Sequence, residues 1–307
     1  MPIRVAILGL GKIARDQHLP SIAVTPGLTI AAVVSRNAAL DDVPCFPTLD
    51  ALLASDCAVD AVALCTPPQV RRAQAACAIS AGKHVLLEKP PGATVSEILP
   101  LAAAARARGV TLFATWHSRF AAAVEPARAF LANRDLRAVT IVWKEDVRVW
   151  HPGQAWIFEP GGLGVFDPGI NALSILTRIL PRPAFVTAAA LDFPANRFAP
   201  IAAELTLSDE TGLPIRAEFD FLQTGLQTWD IYFETDAGNL VLSSGGAKLL
   251  IDGQSVVDDG IAEYITLYKR FADLIARSES DVDLSPLSLV ADAFLLGRRR
   301  IVTEFED

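Results

Sequence analysis

The sequence predicts an α/β chain in two parts, an N-terminal doubly wound parallel sheet followed by a C-terminal α+β region on a large, mostly antiparallel open sheet. Three observations carry this. Short runs that are apolar on both faces alternate with helical patterns as far as residue 117, a glycine-rich turn follows the first run, and beyond 117 long strand patterns succeed one another without helices between them. Strands apolar on both faces belong to a parallel sheet covered on both sides, whereas alternating strands suit an antiparallel sheet with one solvated face.

In order, strands are expected at 3 to 8 (IRVAIL), 29 to 34 (TIAAVV), 61 to 65 (AVALC), 84 to 87 (HVLL) and 110 to 114 (VTLFA), with helices at 48 to 54, 68 to 81 and 94 to 108. These elements form a domain spanning 1–117. In the second domain, 118–307, strands are expected at 137 to 147, 184 to 193, 201 to 208, 214 to 222, 228 to 235 and 239 to 243. Val139, Ile141, Trp143, Glu145 and Val147 share one face of the first of these by the two-residue period. Helices are expected at 120 to 132, 170 to 180, 262 to 277 and 286 to 298, and the last is a candidate to pack back on the first domain. No Gly/Ser linker separates the two halves.

Of the 307 residues, 51% are hydrophobic and 20% charged, which opposes disorder. Proline and glycine break every long apolar stretch, so no membrane-spanning helix is expected, and the short run before Gly9 is too brief for a signal peptide; a cytoplasmic protein is the expectation. A formal charge of −8 opposes nucleic acid as partner. The one dense basic run, Arg298-Arg299-Arg300, is read as the solvated, dipole-complementing end of the last helix. Cys45, Cys57, Cys65 and Cys77 show neither Cys-x-x-Cys nor zinc spacing and are read as reduced, with no metal site.

Gly9-Leu10-Gly11-Lys12-Ile13-Ala14 follows the first strand and opens a helix, the setting that gives G-x-G-x-x-G/A its meaning. Gly9 permits the tight turn, Gly11 lets the backbone approach a pyrophosphate, and Ala14 allows close helix-to-strand packing; Lys12 and Ile13 complete the phosphate turn. The second strand ends in Val34-Ser35-Arg36, without the carboxylate that would hold a ribose 2′-hydroxyl. A hydroxyl and a guanidinium suit a 2′-phosphate, so NADP is favoured with NAD still usable; the alternative is a surface arginine. Thr66-Pro67-Pro68 ends the strand at 61 to 65, where ligands of open α/β sheets bind, and Pro68 also suits the first turn of a helix. Glu88-Lys89-Pro90-Pro91 ends the strand at 84 to 87, and spacing alone leaves Lys89 open between a catalytic and a surface lysine.

Taken together at these separations, GLGKIA, TPP and EKP resemble the Gfo/Idh/MocA family of nicotinamide-dependent oxidoreductases, over essentially the whole chain. The resemblance implies a Rossmann domain, a catalytic Lys89, and a Glu88 that approaches the cofactor. It also implies a catalytic Asp167. The family places a histidine four residues later, where this chain has Asn171, which can bond a hydroxyl but cannot exchange protons. At i and i+4 both side chains leave one helical face; read alone, Asp167 would cap a helix starting at Pro168. The segments from Lys12 to His18, Trp143 to Arg148, Trp150 to Gln154 and from Gly161 onward are similar to a branch of aldose 1-dehydrogenases. That likeness implies sugar contacts by His117, Glu145, Trp150, His151 and Trp229, with oxidation of L-arabinose or D-galactose at C1 to the lactone. The rivals are a cyclitol or other sugar dehydrogenase and a non-catalytic sugar or dinucleotide sensor. A homodimer is expected through the second sheet, where 201 to 207 and 239 to 243 offer alternating apolar side chains.

Overall fold

A computed structural model of the chain describes residues 1–258 and 263–306. Its backbone groups into two compact units: Met1–His117 joined by a later segment that ends at Leu284, and the remainder, from Ser118 and again from Ser285.

The first unit contains β1 (Ile3–Leu8), β2 (Leu28–Val34), β3 (Cys45–Phe46), β4 (Ala61–Leu64), β5 (His84–Leu87) and β6 (Leu112–Ala114). They lie in the order β3-β2-β1-β4-β5-β6, every neighbouring pair parallel. Strand order reverses at β1, which pairs with β2 on one side and β4 on the other, and a ligand site is expected at the strand ends there. Val5, Ala6, Ile7 and Leu8 are buried in succession, as is the whole of β4, because helices cover both faces. Those helices are α1 (Leu19–Val24), α2 (Leu49–Leu53), α3 (Pro68–Ser80) and α4 (Val95–Arg108). Thr48 caps α2 by accepting from Ala51 N at 3.1 Å, and a Thr94/Glu97 capping box opens α4.

Helix α8 (Glu263–Arg277) belongs to this unit. Its buried Tyr264, Leu267, Tyr268, Phe271 and Leu274 recur at helical spacing. The chain after it adds Asp281 beside β6, where Ala114 N donates to Asp281 O at 2.9 Å. Ala262, the first position of the expected helix, lies outside the described residues.

Among the described residues the second unit is a nine-stranded sheet, ordered β14-β13-β12-β11-β7-β10-β9-β8-β15. Its strands are β7 (Leu136–Lys144), β8 (Phe185–Pro194), β9 (Ala202–Ser208), β10 (Ile215–Asp220), β11 (Thr228–Thr235), β12 (Gly238–Ser243), β13 (Lys248–Ile251), β14 (Gln254–Asp258) and β15 (Gly297–Val302). Pairing is antiparallel except for β10 with β7 and β15 with β8. One face packs against helices that include α5 (Val124–Leu131), α7 (Phe166–Ile179) and α9 (Ser285–Leu296). Close approach of α7 requires Gly169, since a Cβ there would lie 2.7 Å from the Phe219 ring.

Several expectations change. Arg298, Arg299 and Arg300 end no helix: α9 stops at Leu296 and they form the edge strand β15. Arg300 reaches Asp192 and Glu204, and Arg299 lies over the Phe193 ring at 4.0 Å, so tertiary partners outweigh continuation of the helix. The helix that groups with the first unit is α8, whereas α9 groups with the second. In β9 the apolar alternates Ala203, Leu205 and Leu207 are buried, as are Leu240 and Leu242 in β12. The apolar side chains expected to make a dimer interface are therefore spent on the protomer's own core; the opposite face of β9 and β10 carries Glu204, Thr206, Arg216 and Glu218. Strands β3, β13 and β14 were not among the expected strands: β3 has two residues and β14 is largely polar, whereas β13 (KLLI) is as long and as apolar as β5.

Candidate active site

In the first unit, Gly9 follows β1 with φ +93°, and a Cβ on it would lie 3.0 Å from Thr66 N and Thr66 Cγ2. Gly11 is exposed, with nothing within 4 Å of where a Cβ would stand. Lys12, Ile13 and Ala14 begin the helical segment, whose first amides have no partner within the helix and carry the positive end of its dipole. A cradle closed to side chains at Gly9 and open to backbone approach at Gly11 fits a pyrophosphate. Ser35 and the exposed Arg36 follow β2, where an adenosine ribose would be met. Thr66, Pro67 and Pro68 follow β4, and Pro68 is the first residue of α3. All the cofactor residues read from the sequence thus stand at the C-terminal ends of β1, β2, β4 and β5.

Glu88 and Lys89 follow β5, Glu88 buried and Lys89 half-buried. The Glu88 carboxylate accepts from Tyr264 Oη at 2.5 Å, from His18 Nε2 at 3.3 Å and from Lys89 N. His18 in turn bonds Tyr268 Oη through Nδ1 at 2.7 Å. A π-helical turn, Ala14–His18, carries His18 into this place. Burial opposes the charged form of His18, but Cys65 and Glu88 outweigh it and raise its pKa to about 10. Burial likewise opposes ionised Glu88, while His18 and Tyr264 hold it down to about 2. His117 bonds Glu263 at 2.5 Å and stacks on Tyr264, ring centroids 5.2 Å apart.

From the sequence, His18 reads as structural or as a contact near the crevice, and Glu263, Tyr264 and Tyr268 have no role. The signal for the two tyrosines is the apolar spacing of α8, which says that a face is buried and not against what.

This pair makes stability depend on pH. His18, with its pKa raised from 6.5, contributes stability that is complete below pH 6.5 and lost as pH climbs toward 10. Glu88, lowered from 4.5, contributes stability that is present above pH 4.5 and lost as pH falls toward 2. His18→Gln should therefore cost about 1–3 kcal/mol between these limits, since it leaves a buried carboxylate with fewer donors. Denaturant unfolding of both proteins should show the difference largest between pH 4.5 and 6.5 and shrinking toward pH 10. A difference constant with pH would refute the charged pair.

In the second unit, β7 ends at Lys144, and Asp146 caps the short helix α6 (Val147–Trp150) by accepting from Arg148 N at 2.9 Å. The expected strand to 147 is thus cut short, but Glu145 keeps the inward side of Val139, Ile141 and Trp143. Its carboxylate accepts from Trp229 Nε1 at 2.7 Å and meets His151 Nε2 at 3.0 Å. His151 Nδ1 stands 3.7 Å from Asp167 Oδ2, an ion-pair distance too long for a hydrogen bond. Trp150 and Trp229 adjoin, ring centroids 4.7 Å apart, Trp229 on β11 and Trp150 at the end of α6.

Asp167 does not cap a helix begun by Pro168. Helix α7 starts at Phe166, so Asp167 lies within its first turn, buried, and Asn171 follows one turn later, partly exposed. The structure brings Glu145, Trp150, His151, Asp167 and Trp229 into one cluster of acceptors, donors and aromatic rings. It can bind hydroxyls and orient a proton-bearing oxygen.

A dinucleotide-binding parallel sheet with a lysine at a strand end, and a separate sheet bearing this polar cluster, define an oxidoreductase of the Rossmann type. Residues 3–115 match the family model described as GFO_IDH_MocA, oxidoreductase family, NAD-binding Rossmann fold, and the chain belongs to that family. Over 320 residues it is 47% identical to a galactose 1-dehydrogenase from Pseudomonas fluorescens, covering 100% of this chain and 99% of that protein. The crystal structure of a D-galactose-1-dehydrogenase from Rhizobium etli superposes with a TM-score of 0.95 at 56% identity, covering 99% of this chain and 98% of that one. A 3-ketoreductase from Actinomadura kijaniata, solved with NADP and TDP-benzene, shares the fold at 21% identity and a TM-score of 0.87, covering 98% of this chain and 100% of that one.

Proposed function

We propose that the chain oxidises C1 of an aldopyranose, D-galactose or L-arabinose, to the lactone, with NADP preferred over NAD. The observation that carries this reading is the Glu145–His151–Asp167 cluster beside Trp150 and Trp229, in a chain alike from end to end to two galactose 1-dehydrogenases. Gly9, Gly11, Lys12 and Ile13 hold the pyrophosphate, Ser35 and Arg36 the 2′-phosphate, and Thr66, Pro67, Pro68 and Glu88 line the remainder. When bound, the nicotinamide ring supplies the acceptor for the hydride leaving C1.

Lys89 takes the proton from O1 as C1 is oxidised, and Asp167 orients O1. Asn171, His117, Glu145 and His151 bond the other hydroxyls, and Trp150 and Trp229 cover the C–H surface of the ring. D-Galactose and L-arabinose pyranoses share their configuration at C2, C3 and C4 and differ by the hydroxymethyl group, so a grip on those three hydroxyls accepts both. A panel of aldoses and inositols, assayed for reduction of NADP and NAD, tests this. Reduction should be fastest with galactose or arabinose and NADP; turnover confined to inositols, or none at all, would refute the reading.

The chain is further read as a cytoplasmic two-fold homodimer. Such an interface would use the solvent-facing side of β9 and β10, which carries Glu204, Thr206, Arg216 and Glu218 and would pair through polar contacts. Sedimentation equilibrium at micromolar concentration returning the monomer mass would overturn it.

A further inference from the structure

Arg71 lies in the first turns of α3 with 3% of its surface exposed. Its Nη1 donates to the carbonyls of both Glu88 and Pro90, and its Nη2 donates to the carbonyl of Thr66. The three acceptors come from two loops: Thr66 follows β4, and Glu88 and Pro90 follow β5 on either side of Lys89. A buried cation is costly unless its donors are satisfied, and here the acceptors are backbone oxygens of the loops that carry the proposed chemistry.

We propose that Arg71 is a positioning residue that fixes the direction of the Lys89 side chain and the spacing of the two loops. The proposal rests on the reading of Lys89 as proton acceptor. The Glu88 carbonyl belongs to the peptide before Lys89 and the Pro90 carbonyl to the peptide after Pro90. Holding both sets the backbone angles between them and with these the Cα–Cβ direction of the lysine. A tilt of about 10° there moves an amine nitrogen about 6 Å away by about 1 Å, a misplacement that can cost on the order of 10²-fold in rate. The planar guanidinium serves this task because its donors diverge in fixed directions, whereas a lysine at position 71 would present a single point of charge.

A double-mutant cycle tests it. Arg71→Met should lower kcat by about 30-fold in the chain that retains Lys89, but by less than about threefold in a Lys89→Met background, because the residue acts through the lysine. Cofactor KM should rise by the same factor in both backgrounds through the Thr66 contact, which a role in Lys89 placement does not alter. Arg71→Lys, run in parallel, keeps the charge and part of the bonding, and should fall between wild type and Arg71→Met on the same pattern. It decides the question if Arg71→Met does not fold. Losses of kcat that multiply in the Lys89→Met background, or a kcat within about threefold of wild type in folded Arg71→Met or Arg71→Lys, would overturn the proposal. Near-wild-type kcat in Lys89→Met alone would instead remove the reading of Lys89 on which it rests.

Discussion

Lys89→Met is expected to lower kcat by about 10² or more while leaving dinucleotide affinity within a few-fold, the loss typical of a general acid or base. The lysine is the second residue after β5, half-buried, with its amide bonded to the Glu88 carboxylate and its flanking carbonyls held by Arg71. None of these backbone contacts uses the side-chain nitrogen, so they should survive its removal. The pyrophosphate cradle at Gly9 and Gly11 is likewise untouched. Cofactor binding followed by quenching of protein fluorescence, together with steady-state kcat, separates the two effects. A folded variant that turns over at close to the wild-type rate would show that the proton goes elsewhere.

Asp167→Asn should lower kcat/KM for the sugar by a factor on the order of 10², with stability changed by less than about 1 kcal/mol. The carboxylate is buried in the first turn of α7, 3.7 Å from His151 Nδ1. Asparagine has the same shape and keeps one oxygen, so packing is conserved while the negative charge facing the histidine is lost. A merely structural aspartate at a helix start would give the opposite pattern, a small stability loss with activity intact. Thermal unfolding and sugar kinetics on the same preparation distinguish the two, and unchanged kcat/KM would reduce Asp167 to a helix-terminal residue.

Much of the first unit was legible because its code is local. Doubly apolar runs fix parallel strands, and Gly9, Gly11 and Ala14 announce a phosphate turn by their spacing after β1. Lys89, Thr66 and Arg36 could be placed because strand ends can be read from the same pattern. In the second unit the alternation of β7 put Glu145 on the face of Val139, Ile141 and Trp143, which the structure shows to be buried, although the strand stops at Lys144 and Asp146 starts a helix instead.

The sequence by itself determined the two-part architecture, the dinucleotide turn and the candidate side chains. The tertiary structure decided what those side chains touch. Glu88 is paired with His18 across 70 residues and with Tyr264 across 176, and Glu145 with Trp229 across 84. The basic triplet at 298–300 reads as a helix end until Asp192 and Glu204 are found beside it in a strand. Alternation along β9 and β12 shows that one face is apolar; only packing shows that helices of the same chain already cover it. The physical reason is the same in each case. Periodicity and turn chemistry are set by near neighbours along the chain, whereas the partner of a buried charge, and the occupant of an apolar face, are set by which distant segments the completed core brings together.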